Sequence, residues 1–461
     1  MRLAFRASLA TGLALLFAIP QTIASAGPAA PQSPEGRFDH AVSIATANRG
    51  RERRAALLDN FKLVGHSDLG GDIDFADVWA LGDYAYVGSS CGGNISRGGG
   101  GGVRVVDISH PAHPVVVSTL PNDRFTRAQD VVVRHVSTPA FTGDLAAVGI
   151  QSCAGSGHEG EVATGLLFYD VTHAAHPRFL SEWSLPPASN GCHEIDLVQR
   201  SADGIVLAGC ARQVFDQIDP EAGGQAPGAV QFVDATDPTH PELLRSWEMP
   251  AEPLDGVGCF PVNFAHSIRF DNGGNDAYVS YWDAGTVHLD LTDPVSPVIV
   301  SDTVLDDEDR DNHSATIANS GSWLVINPED FSPGDCGPEF GDWGEAHVYD
   351  NSDPAHPRAL GTFATPDSAS GRADGTYTIH NTEVSHERLF FSSWYSDGIV
   401  WWTMDDSGSS RQLGQFVPPA SDMFGIPLVW GVYVDRAHDV ILASDFGSGL
   451  WLVRPTGLKH L

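Results

Sequence analysis

Apolar and polar residues alternate along most of this chain in runs of about four to seven, the period of a strand with one buried face. Gly, Pro, Asn and Asp separate the runs, and no long stretch carries helical periodicity. The pattern predicts an all-β domain over residues 59–461. Residues 27–58, rich in Pro, Ala, Ser and Arg, lack that periodicity and read as a flexible tail with one or two helical turns near Glu52 to Leu58.

One apolar strand recurs, ending in Asp in all but the last copy and followed by a turn that contains Ser or Thr. It runs Gly102-Val103-Arg104-Val105-Val106-Asp107-Ile108-Ser109, then Gly165-Leu166-Leu167-Phe168-Tyr169-Asp170-Val171-Thr172. It returns at Val230–Pro238, Val287–Pro294 and His347–Pro354, with degenerate copies at Ile399–Asp405 and Leu450–Pro455, which makes seven. A unit that cannot bury its own faces must stack on its neighbours, and seven of them predict a seven-bladed β-propeller. The last copy stops one strand short, while Phe61–Gly65 looks like the strand it lacks. Pairing of the N-terminal and C-terminal strands should therefore close the ring and hide two edges. The units are long because of loops at 92–102, 154–164, 214–228 and 328–344, all between second and third strands.

The strand ending in Asp, with its Ser/Thr-Asp-Pro turn, resembles the repeat of the LVIVD family of exported β-propeller proteins. The resemblance covers about residue 61 to the C-terminus and implies fold and export. The family carries no agreed reaction, so the resemblance implies none.

Aligned on this repeat, the first strands of the seven units read Ala76-Asp77, Gln129-Asp130, His193-Glu194, His266-Ser267, His313-Ser314, His380-Asn381 and Trp430-Gly431. Four histidines, remote in sequence, thus occupy one column on strands that surround the axis. Neutral imidazole offers one nitrogen to a metal while the other donates to a supporting acceptor. The column predicts one transition-metal ion held by His193, His266, His313 and His380 at the mouth of the channel. Iron or copper is favoured, with manganese or zinc as further options. Glu194, Glu383, Asp77 and Asp130 are close enough in sequence to support the ligands. One feature argues the other way: the histidines share the alternation of apolar positions two and four residues on, which would turn them between sheets. The four-histidine set is similar to the iron centre of the carotenoid-cleaving oxygenases. That similarity covers the ligand pattern alone, and those enzymes' long apolar insertions are missing here.

Repetition by itself does not make a ligand. His113, His176, His240 and His356 also recur, each before Pro, and read as turn residues on the opposite face. The acidic stretches at Asp306–Asp311 and Glu329-Asp330 lack the spacing of a calcium loop and read as solvated surface.

The chain opens with a short basic segment, an apolar run to about Pro20 and Ala24-Ser25-Ala26, which together read as a signal peptide over residues 1–26. The expected location is secreted, extracellular or periplasmic. An even cysteine count in such a compartment favours disulfides, and the repeat suggests Cys91–Cys153, Cys192–Cys210 and Cys259–Cys336. With 59 acidic against 26 basic residues and a net charge of −33, the surface repels nucleic acid and anionic lipid. A monomer without membrane insertion is expected, acting on an unidentified small-molecule or extracellular ligand. The first functional reading is a metal-dependent oxidoreductase. The alternatives are a metal-dependent hydrolase or lyase, or a non-catalytic extracellular binding propeller.

Overall fold

A computed structural model describes residues 56–461 except 71–72, 92–99, 154–155, 157, 159–160, 186–189, 213–228, 251–263, 306–309, 332 and 334–341. The expected signal peptide, most of the tail and much of the four long loops lie outside the described residues.

The described chain is all-β and antiparallel, and its pairing follows the repeat. Phe75–Leu81, Tyr84–Ser89, Val103–Asp107 and Val115–Leu120 pair in succession. The same meander recurs from Thr126–Ser137 to Arg178–Ser184, Cys192–Gln199 to Glu242–Trp247, Ala265–Asp271 to Val298–Thr303 and Asn312–Ala318 to Arg358–Phe363. It recurs again from Thr382–Val384 to Ser410–Val417. A single residue pair, Ser89 with Ala128, joins the first two meanders into one larger sheet. The final meander runs Val429–Asp435, Val440–Asp445 and Gly449–Pro455, and its fourth strand is Phe61–Ser67 from the opposite end of the chain. Leu57–Asp59, expected to end a loose tail, instead forms a short strand on the outer edge of Ser410–Val417. Open backbone groups on that edge offer it a ladder.

Burial follows position within each meander. Second strands are buried on both faces, as in Val206–Arg212 and Trp323–Pro328, because the sheets stack face to face. Fourth strands are largely exposed, as in Arg178–Ser184. The hydrophobic cores accordingly sit between neighbouring sheets; one joins Trp79 and Tyr86 to Val131 and Val133, and on to Ile195 and Leu197.

The recurring Asp has a local cause. Oδ1 of Asp107, Asp170, Asp234, Asp290, Asp350 and Asp405 accepts the backbone N–H two residues on, at 2.7–3.0 Å. The carboxylate thus stands in for a backbone acceptor and fixes the turn between third and fourth strands.

A second regularity is a β-bulge at the start of the first strands. The register slips by one residue between Phe75 and Val78, Ala128 and Val131, Cys192 and Ile195, Ala265 and Ser267, Asn312 and Ser314, and Val429 and Gly431. An extra residue in one strand interrupts the alternation and re-aims the side chains on either side. The bulges fall on the aligned column, so strict alternation does not govern where His193, His266 and His313 point.

Candidate metal centre

The structure brings the four histidines into one arc. Ring centroids of His193 and His266 lie 4.4 Å apart, those of His266 and His313 4.1 Å, and those of His313 and His380 4.0 Å. All four are buried, His313 and His380 completely. Trp282 closes one flank beside His266, with centroids 5.0 Å apart, and Trp430 the other beside His380, at 4.2 Å. Trp430 is the same column's residue in the last meander, so the arc continues along the alignment.

These imidazoles are held neutral. Burial, with smaller contributions from Arg127 and His313, keeps His193 well below its usual range. Burial and the neighbouring imidazoles do the same for His266 and His380, and burial pushes His313 down to about 3. Nδ1 of His193 lies 2.8 Å from Oε1 of Gln151, which also accepts Nε of Arg127 at 3.0 Å. An acceptor there places the proton on Nδ1 and leaves the Nε2 lone pair free. Both ring nitrogens of His313 and of His380, and Nδ1 of His266, are buried without a well-aligned hydrogen bond, although the rings of His266, His313 and His380 face the backbone of His313, His380 and Trp430 in turn. Such contacts satisfy at most one nitrogen of each buried ring, and ligation to a metal is the chemistry that would satisfy the other's lone pair.

Two carboxylates complete the group. Oε1 of Glu194 lies 3.3 Å from Nε2 of His313. Glu329 reaches two rings, with Oε2 3.8 Å from His313 Nε2 and Oε1 3.7 Å from His380 Nε2. Two sets of ligand atoms lie within 4.8 Å of one another: Glu194, His313 and His380, and His266, His313 and Glu329. His313 belongs to both. His193 belongs to neither and stands at the end of the arc, against Gln151.

Sequence reasoning misplaced Glu329 and Asp330, read as solvated surface. They are 5 % and 3 % exposed, because the chain after Trp323–Pro328 turns inward over the arc. Tyr395, also unforeseen, donates its hydroxyl to Oε1 of Glu329. Its backbone has φ 38°, a left-handed conformation rare for a bulky residue and found where packing over-determines the geometry.

The other supporting carboxylates lie elsewhere. Asp130 accepts the N–H of Ile195 at 2.7 Å, Asp77 that of Val78 at 2.7 Å, and Glu383 lies 3.5 Å from Arg269 Nη2. Together with Glu194 they line a separate cavity of about 30 Å³. Of the four, only Glu194 is in contact with the arc. Its place beside a ligand-set histidine makes it a candidate ligand as well as a support.

Cys91–Cys153 and Cys192–Cys210 are bonded, with Cα atoms 5.6 and 5.1 Å apart. Cys259 and Cys336 lie outside the described residues. The second histidine series is exposed, and His240 and His356 bond Asp237 and Asp353 three residues earlier, as turn residues do.

Residues 74–120 match the LVIVD repeat. The match spans the first meander and agrees with a repeat architecture of β-propeller type. No match is found among curated proteins. Among the described residues no helix is long and apolar enough to cross a membrane.

Proposed function

We propose that this chain is an exported, seven-bladed β-propeller metalloprotein that acts as a metal-dependent oxidoreductase. Seven successive four-stranded meanders support the blade count. Pairing of Phe61–Ser67 with Gly449–Pro455 supports closure of the ring. Two disulfides are compatible with an oxidising compartment.

The reading is carried by one observation: four adjacent, buried, neutral imidazoles, three of them with a ring nitrogen lacking a well-aligned hydrogen bond, stand beside two carboxylates. One transition-metal ion would be held by His266, His313 and His380 with Glu194 or Glu329, and His193 would complete the shell. Each tight set contains two imidazoles and one carboxylate, a donor composition that suits non-haem iron(II) better than copper. Iron would supply one-electron and oxygen chemistry. The chain's own residues exclude water through Trp282 and Trp430 and orient Glu329 through the Tyr395 hydroxyl.

Absorption and spin-resonance spectra of iron-loaded protein, before and after a reductant, test the assignment. A redox-responsive ferric signal is expected, absent from His313→Ala. A second reading, a purely structural ion, is favoured by the complete burial of His313 and His380. It would give bound metal that stays redox-silent and whose removal lowers thermal stability.

A further inference from the structure

One residue beyond the histidines, the first strands present a second tier. Asp77, Asp130, Glu194, Ser267, Ser314 and Asn381 all line the same cavity of about 30 Å³. Each lies in, or for Asn381 immediately before, a different first strand, and each carries a side-chain oxygen. The volume suits a single water-sized or ion-sized occupant.

Charge in this cavity is unbalanced. Asp77, Asp130, Glu194 and Glu383 line it together with Arg269, and Arg134 and Arg436 also act on Glu383. Burial and the nearby Asp130 carboxylate push Asp77 well above the usual range, and burial pushes Asp130 up to about 7. Uncompensated buried carboxylates either take up protons or recruit a cation.

One feature besides the charge points to an occupant. Asn381 is 7 % exposed, and its Oδ1 has no hydrogen-bond partner, although its Nδ2 donates to Asp77 Oδ2 at 3.3 Å. An unpaired amide oxygen beside carboxylates is what a hard cation would satisfy. Gly431 in turn fits the seventh place in the tier, because a Cβ there would lie 2.3 Å from Asp77 Oδ1. Only glycine leaves that carboxylate room where it stands.

We propose that this tier binds one hard divalent cation of the calcium class, distinct from the transition-metal ion and ligated by Asp77, Asp130 and Asn381, with Ser267 and Ser314 around it and Glu194 between the two sites. Calcium takes about six to eight oxygens in flexible geometry, which a ring of carboxylate, amide and hydroxyl groups supplies. Imidazole-rich sites favour transition metals instead, so the two tiers divide by ligand softness. A larger cavity of about 720 Å³ shares Arg269 and Glu383 and offers a path to solvent.

Terbium(III), a luminescent substitute for calcium, tests the proposal, because Trp79 and Tyr433 line the cavity and would sensitise its emission. The titration uses the whole exported protein with its histidine centre pre-loaded with zinc. Saturable emission at one terbium per chain, displaced by calcium, is expected. Asp77→Asn should weaken binding at least tenfold, and Asn381→Asp should tighten it. Circular dichroism checks that Asp77→Asn folds; where it does not, Asn381→Asp decides alone. Absence of saturable emission from the wild type, or emission that ignores both tier variants, overturns the site.

Discussion

Oε1 of Glu194 stands 3.3 Å from Nε2 of His313, although the two residues belong to different meanders. The bulge between Cys192 and Ile195 makes this possible, because it holds both His193 and Glu194 at one irregular point of the strand. Glu194 thereby meets the histidine arc and the oxygen-lined cavity at once. Glu194→Gln keeps the shape and removes the charge. It should weaken transition-metal affinity about 10- to 100-fold, the range for a lost supporting or ligating carboxylate. Competition against a chromophoric chelator measures it.

His313 and His193 should not be equivalent. His313 belongs to both tight ligand sets, whereas His193 belongs to neither and leans on Gln151. His313→Ala should abolish stoichiometric metal binding, while His193→Ala and Gln151→Leu should retain it with affinity reduced about tenfold. Metal content after gel filtration separates these outcomes. Equal losses in all three variants would contradict the unequal roles.

The disulfide between Cys192 and Cys210 closes an 18-residue separation immediately before His193. Chain-entropy arguments give such a loop about 3 kcal/mol. Replacing both cysteines by serine should lower unfolding stability by about that amount in denaturant titration. It should also loosen the metal, since the strand that carries His193 and Glu194 loses its anchor. An unchanged midpoint would show that strand pairing alone fixes the strand.

The turn aspartates predict acid sensitivity. Hydrogen bonds from Ser109, Thr292, Ser352 and Ser407 hold Asp107, Asp290, Asp350 and Asp405 below the ordinary 3.8. Their unfolded forms bind protons first as the pH falls. The stability they contribute is therefore present above about 3.8 and is lost as pH drops through the folded values. Asp290→Asn with Asp350→Asn should melt lower than wild type at neutral pH, and the difference should shrink as the pH falls below 3.8. Thermal melts across pH test this; a gap that is constant with pH would contradict it.

The repeat made the strand order legible, because the Asp-turn that ends six of the third strands is a local feature written in adjacent residues. The histidine column was legible too, since the alignment carries it. Alternation, however, argued that these side chains face between sheets. The bulges that void that argument arise from pairing with the second strand, and one strand's sequence does not display its partner's register. Glu329 was misread for a related reason. Glu-Asp beside Phe and Pro looks like an exposed loop, and only the inward path of the chain after Pro328 buries it. Tyr395 has no motif at all; its role comes from a left-handed turn.

The metal-to-chain ratio of protein purified from the exported fraction tests the central claim most directly. Elemental analysis of wild type and His313→Ala should give close to one transition-metal ion per chain, iron foremost, and close to none in the variant. A wild-type protein that stays metal-free after loading with iron, manganese, copper and zinc, yet remains folded, would contradict it.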